Sequence, residues 1–358
     1  MNVKKLLALV IALCLCTALA ACGGGNASAP TAAPAASVAS TAEAAPAASS
    51  DVKVAMLLTG PINDAGWNES AYKGLMTAKD ELGIETAYSE SVAQPDFETV
   101  MRDYADKGYS VIICHGNEFS DATMAVAPDF PEVMFCVVNG NTFQEPNMAS
   151  FRFNTPQTGF LAGAAAALLS KSGTVGMIGG TSMPHIVDAL DSYEAGAKYI
   201  NPDINVLLGY TEDMSDVARG MEMGTAFIEQ GADVLCANAN QAALGVIDAA
   251  KTKDIQYIGY INDQNDIAPE IIKVSSIQSV QFMVATIIEK GIAGELTPAL
   301  HLMGAADGAI FLSDFHGNED AFGEGGVEKL QEIFAGILDG SLKEAGILPP
   351  SVFEGALA

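Results

Sequence analysis

From Val52 onward, short runs of consecutive apolar residues alternate with longer segments in which apolar positions recur every three or four residues. The first pattern marks strands buried on both faces and the second marks amphipathic helices, so their alternation predicts βαβ units and parallel sheets. Strands are expected at Val52–Thr59, Ile84–Tyr88, Val111–Cys114 and Val133–Val138, with helices at Asn68–Leu82 and Phe97–Lys107 and a short one before the last strand. The pattern restarts after Phe153 with helix Thr158–Leu169, strand Thr174–Ile178, helix Ile186–Ile200, strand Ile204–Leu208 and helix Ser215–Gln230. It continues through strand Asp233–Cys236, helix Gln241–Lys251 and strand Gln256–Tyr260. Strand Ile272–Ser276, helix Gln281–Lys290, strand Ala309–Leu312 and helix Gly326–Leu338 complete the series. Two similar α/β lobes are implied: residues 51–153 with about 277–305 form one, and about 154–276 with 306–345 the other.

The first fifty residues carry a different pattern. Lys4 and Lys5 precede an apolar run, Leu6 to Leu19, that is too short to span a bilayer, and Leu19-Ala20-Ala21-Cys22 closes it with small residues before a cysteine. This predicts a lipoprotein signal over residues 1–21 and a lipid on the thiol of Cys22, placing the mature chain outside the cytoplasm, anchored to the cell membrane by acyl chains. Residues 22–50 are almost all Ala, Pro, Ser, Thr and Gly, a disordered spacer with nothing to bury.

Composition removes several classes. The formal net charge is −27, and loss of Lys4 and Lys5 with the signal makes it two units more negative. Such a surface repels nucleic acid and offers phosphates no basic stripe. Cys14 and Cys16 leave with the signal, and Cys114, Cys136 and Cys236 each sit in an apolar strand-like run, which predicts inert buried thiols. Four scattered histidines at 115, 185, 301 and 316, with no CxxC, predict no metal site. Gly176-Met177-Ile178-Gly179-Gly180 lacks the spacing of a phosphate loop. His115, Asp64 and Ser182 are not tied together by a nucleophile elbow, so an enzyme is not expected and no cofactor is implied.

Ligands of open parallel sheets bind beyond the carboxyl ends of the strands, so the loops there hold the candidate residues. They read Gly60 to Asn68, His115 to Phe119, Gly179 to Pro184, Asn238 to Gln241 and Ile261 to Asp266. Amides and aromatics dominate and Lys and Arg are nearly absent, a mixture suited to a neutral polar ligand with a flat apolar face. The candidates in these loops are Asn63, Asp64, Trp67, Asn68, His115, Asn117, Phe119, Met183, Asn238, Asn240 and Asp263, and Gln278 joins them only through a family resemblance. Asn63, Asp64, Asn238 and Asn240 also suit helix caps and turns, and Trp67 also suits packing at a helix start. For a sugar ligand Arg152 is the best placed of the three arginines, and a surface or hinge ion pair is its other reading.

At these loops the chain resembles the basic membrane protein family of lipid-anchored solute-binding proteins from nucleoside and purine ABC importers. Asn63-Asp64-Ala65-Gly66-Trp67-Asn68 through Gly74 is similar to the family's Asp-Asp-x-Ser-Phe-Asn-Gln signature. Gly159-Phe160-Leu161-Ala162-Gly163, the run Glu194 to Pro202, and Asp263-Gln264 match further family motifs in order. The resemblance implies a type I periplasmic-binding-protein fold, two Rossmann-like lobes with parallel sheets joined by a multi-strand hinge. It implies a monomer that works with an ABC permease, with Trp67 where the family stacks a Phe on the base and Asn68 where an Asn hydrogen-bonds the purine. Two positions depart from the nucleoside-binding pattern: Ile261 replaces an acidic residue two places before Asp263-Gln264, and a downstream Lys near Ser279 is absent, with Gln278 beside it. Ribose hydroxyls would lose their partners there, at roughly 1–3 kcal/mol each. The expected ligand is therefore a purine nucleobase. A nucleoside or sugar binder of the same fold and a purine-sensing receptor are the alternatives.

Overall fold

The computed structural model describes residues 52–64 and 66–344, so the predicted signal, Cys22 and the spacer lie outside the described residues. The first half runs β1 (Lys53–Leu58), α1 (Trp67–Leu82), β2 (Glu85–Ser89), α2 (Phe97–Asp106), β3 (Val111–His115), α3 (Ser120–Val126), β4 (Met134–Val138) and β5 (Met148–Phe153). Next come α4 (Thr155–Leu169), β6 (Thr174–Gly179), α5 (Pro184–Ile200), β7 (Asn205–Tyr210), α6 (Val217–Glu229), β8 (Val234–Asn238), α7 (Ala242–Lys253) and β9 (Gln256–Ile261). The chain ends with β10 (Ile272–Gln278), α8 (Val280–Ala293), β11 (Leu300–Met303), β12 (Ile310–Leu312), α9 (Gly326–Leu338) and α10 (Ser341–Glu344).

Two six-stranded sheets result, in the orders β11-β5-β4-β3-β1-β2 and β12-β10-β9-β8-β6-β7. The first is wholly parallel, and in the second only β12 runs antiparallel, against β10. The apolar runs are explained by covering helices on both faces. In β1, Val54, Met56 and Leu58 enter one core while Ala55 and Leu57 enter another, and Val234 and Cys236 alternate with Leu235 and Ala237 in the same way along β8.

The first sheet does not end at Val138 as the strand pattern predicted. β5 and β11 extend it. Ser150 and Arg152 interrupt the apolar run of β5, and the four residues of β11 include no β-branched side chain, so neither stretch carries the usual strand composition.

The chain passes between the sheets three times, at Asn154, at Ser279 and through Gly304–Ala309. These segments hold one another: Asn154 N donates to the Met303 carbonyl at 2.9 Å, Ser279 N to the Ala309 carbonyl at 2.8 Å, and Ala305 N to Gln157 Oε1 at 2.8 Å. Two doubly wound sheets joined by three adjacent crossings are the type I periplasmic-binding-protein fold. Behind them α4 and α5 pack at backbone distance, because Gly159, Gly163 and Gly196 leave no Cβ to separate the helices.

Among the described residues no helix is long and apolar enough to cross a membrane, and no cluster of His, Cys, Asp and Glu suits a metal. Cys114, Cys136 and Cys236 are free and buried, and burial pushes the Cys114 thiol up to about 12.

Candidate ligand-binding cleft

In each sheet the strand order reverses beside the first strand of the set, between β1 and β3 and between β6 and β8, and such a reversal opens a crevice at the strand ends. A cavity of about 260 Å³ lies there between the sheets, just under the roughly 300–1,000 Å³ usual for drug-sized ligands. The first sheet contributes Thr59, Gly60, Pro61, Asp64, Gly66, Trp67 and Asn68. The second contributes the ends of β8 and β9, chiefly Asn240, Gln241, Tyr260, Ile261, Asn262 and Gln264, together with Ser215. No Lys or Arg lines it. A second hollow of about 410 Å³ lies on the flank of the first sheet, between β11 and α8, and involves no loop of the second sheet's central strands.

Asp64 builds the first wall. Its Oδ1 accepts from the backbone N–H groups of Gly66 (2.9 Å) and Glu69 (3.0 Å), and its Oδ2 from Asn68 N (3.0 Å) and Asn68 Nδ2 (2.8 Å). Burial would raise its pKa, but these hydrogen bonds outweigh burial and hold the carboxyl below its ordinary value. The carboxylate thus caps α1 and fixes the Asn68 amide, whose Oδ1 is buried without a partner. A Cβ at Gly60 would stand 2.5 Å from Asn68 Nδ2, so a side chain there would displace that amide.

Trp67 is held from behind. Its indole stacks on the His115 imidazole, with centroids 4.3 Å apart and planes 22° apart, and its carbonyl lies 3.1 Å from His115 Nε2. Because a carbonyl only accepts, Nε2 carries the proton, and the bare Nδ1 is buried without a partner. His115 is fully buried, which pushes its pKa down to about 4 against the hydrogen bond to Trp67 and the charge of Asp64. It supports the wall and does not line the cavity.

The opposite wall turns on Ile261. Its φ is +70°, and Asn262 N donates across it to the Tyr260 carbonyl at 2.8 Å, a γ-turn of the rare positive-φ kind that strains a β-branched residue. Strain of this sort gathers at binding sites. Here the turn aims Asn262 across the cleft, where its Oδ1 accepts from the Ser70 hydroxyl at 3.1 Å.

Of the residues expected at the site, Asp64, Trp67, Asn68 and Asn240 line the cavity, and the others do not. Asn63 and Asn117 are exposed, and Asn117 accepts from the Ser120 hydroxyl. Phe119 is fully buried against Phe97, with centroids 3.9 Å apart. Met183 is exposed at the start of α5, and Asn238 is buried in β8. Asp263 pairs with His316 at 3.0 Å, and Gln278 accepts from Thr158 Oγ1 at 3.3 Å beside the hinge. Arg152 lies outside the cavity, near Asp188 and His185 of α5. Thr59, Ser215, Tyr260, Asn262 and Gln264 also line the cavity without having been candidates: Asn262 and Gln264 lie in a marked loop, whereas Thr59 and Tyr260 end the strands before such loops and Ser215 precedes α6.

Residues 51–338 match the family model Bmp, described as ABC transporter substrate-binding protein PnrA-like. The chain is 29% identical over 265 residues to Transcriptional activator protein med of Bacillus subtilis, covering 74% of this chain and 82% of that protein. It is 32% identical over 234 residues to Basic membrane protein A2 of Borrelia garinii, covering 64% of this chain and 69% of the relative. Its fold is similar to that of an ABC transporter solute-binding protein from Aeropyrum pernix, with TM-score 0.71 and 21% identity over 81% of this chain and 92% of the other. The chain belongs to the Bmp family of PnrA-like ABC-transporter substrate-binding proteins, which bind a small molecule for a membrane permease and are not enzymes.

Proposed function

We propose that the chain captures a neutral, flat ligand of the purine class, a free nucleobase, in the cleft between its sheets and hands it to an ABC permease while Cys22 tethers it outside the cytoplasmic membrane. The supporting observation is the Trp67 ring, with Tyr260 as the second aromatic residue of the lining, in a small cavity that contains no cation and whose single carboxylate, Asp64, is occupied by the α1 N-terminus. Such a cavity favours stacking and amide hydrogen bonds over charge pairing. Preference for a base over its nucleoside rests on Ile261, an apolar side chain in the cleft where nucleoside-binding relatives are expected to carry an acid.

Calorimetric titration with adenine, hypoxanthine and guanine beside adenosine, inosine and guanosine tests this. A base is expected to bind more tightly than its own nucleoside, and the reverse order would overturn the nucleobase reading. A flat response to all six would remove the purine class as well.

The name of the Bacillus subtilis relative favours a second reading, in which the same closure serves a sensor. Ligand-dependent association of the purified chain with its membrane permease separates the two, because a sensor needs no such contact.

A further inference from the structure

Trp67 is covered on one face by a residue that the cavity never touches. A ring with both faces free would tilt, and each orientation lost on binding costs affinity. His115 meets the requirements of a fixed backstop: it ends β3, paired with Leu58 of β1 and Val138 of β4. It also sits at the centre of a tight turn in which Gly116 N donates to the Cys114 carbonyl at 3.1 Å. Its imidazole is fully buried, so no solvent competes for its hydrogen bond to the Trp67 carbonyl.

We propose that His115 is a positioning residue: stacked behind the indole and hydrogen-bonded to the Trp67 backbone, it locks the ring so that its other face meets a flat ligand in a three-layer stack. The bound molecule's ring is the third layer, so this inference rests on the aromatic-ligand reading above. The locking itself is a property of the ligand-free protein.

The chain has a single tryptophan, so its emission reports on Trp67 alone. We compare acrylamide quenching of that emission, without ligand, in the wild type and in His115→Ala, His115→Asn and His115→Phe. Calorimetric titration with adenine, hypoxanthine and guanine follows, and circular dichroism checks the fold. Removal of the ring in His115→Ala and His115→Asn is expected to raise quenching at least twofold and to weaken base binding about tenfold, the range of one aromatic pair. His115→Phe keeps a flat ring of similar size but loses the Nε2–H donor, so its quenching is expected to stay well below that of His115→Ala. The proposal is overturned if Ala and Asn leave quenching and affinity at wild-type values, or if Phe behaves like Ala. Should none of the three bases bind the wild type, the purine reading fails, while the quenching comparison alone still supports or overturns the locking of Trp67.

Discussion

Two histidines make the fold less stable in mild acid. His115 is held down to about 4 by burial, and His185 likewise to about 4 by burial with the charge of Arg152 adding to it, against an ordinary value of 6.5. Their folded pKa values are depressed, so between pH 6.5 and pH 4 the unfolded chain takes up protons that the native state refuses, and stability falls with pH across that window. Each group contributes at most about 1.4 kcal/mol per pH unit there, and the loss levels off below the folded value. Urea unfolding from pH 7 to pH 4 should show this slope, and His115→Phe should flatten it by the share of one group. The depressed carboxyl of Asp64 acts lower, losing its contribution only as pH falls through values below 3.8. At Ile261, replacement by Asp restores an acid in the cleft. Adenosine affinity is expected to rise about tenfold relative to adenine, as one charge-assisted hydrogen bond to a hydroxyl would give. An unchanged ratio in paired titrations would show that residue 261 does not face the ribose position.

At the scale of elements, the contact between α4 and α5 is a tight constraint. A Cβ at Gly163 would overlap the backbone carbonyl of Tyr193, and neither helix can retreat because Phe160, Ala164 and Tyr193 are fully buried. Gly163→Ala is therefore expected to destabilise the fold by roughly 2–4 kcal/mol in urea unfolding, with ligand affinity of the folded fraction unchanged. β1, β3, β8 and β9, whose two-sided burial wrote a continuous apolar run, lie where the pattern put them, and so do the less buried edge strands β2 and β7. β5 and β11 were illegible because Arg152 and Ser150 in one and the shortness of the other hide their pairing. The site was legible as loops, since a parallel sheet fixes the end at which ligands bind. It was legible only in part as side chains: Asp64, Trp67, Asn68 and Asn240 line the cavity, but periodicity does not say which way a residue turns after a strand stops. Phe119 went to the core on Phe97, His115 went behind Trp67, and Ile261 turned through a positive φ that its residue type does not advertise.

Across the whole molecule, binding and closure are one equilibrium: ligand affinity includes the free energy of bringing the two sheets together around the hinge. The Ser70 to Asn262 hydrogen bond crosses the cleft, joining the first turn of α1 to the strained loop after β9, and it can form only when the two sides approach. Neither residue is charged, so its contribution is that of a neutral hydrogen bond, about 0.5–1.5 kcal/mol. Removing it in Ser70→Ala should lower the closed population by about two- to tenfold, and the loss should appear in release and not in capture. Stopped-flow emission of Trp67 is the direct measurement: the dissociation rate is expected to rise by that factor with the association rate held, and small-angle scattering of the ligand-free protein should show a larger radius of gyration. Because Ser70 is not among the cavity-lining residues, a slower association with unchanged dissociation would mean that the bond shapes the open cleft, and the coupling between this contact and closure would be wrong.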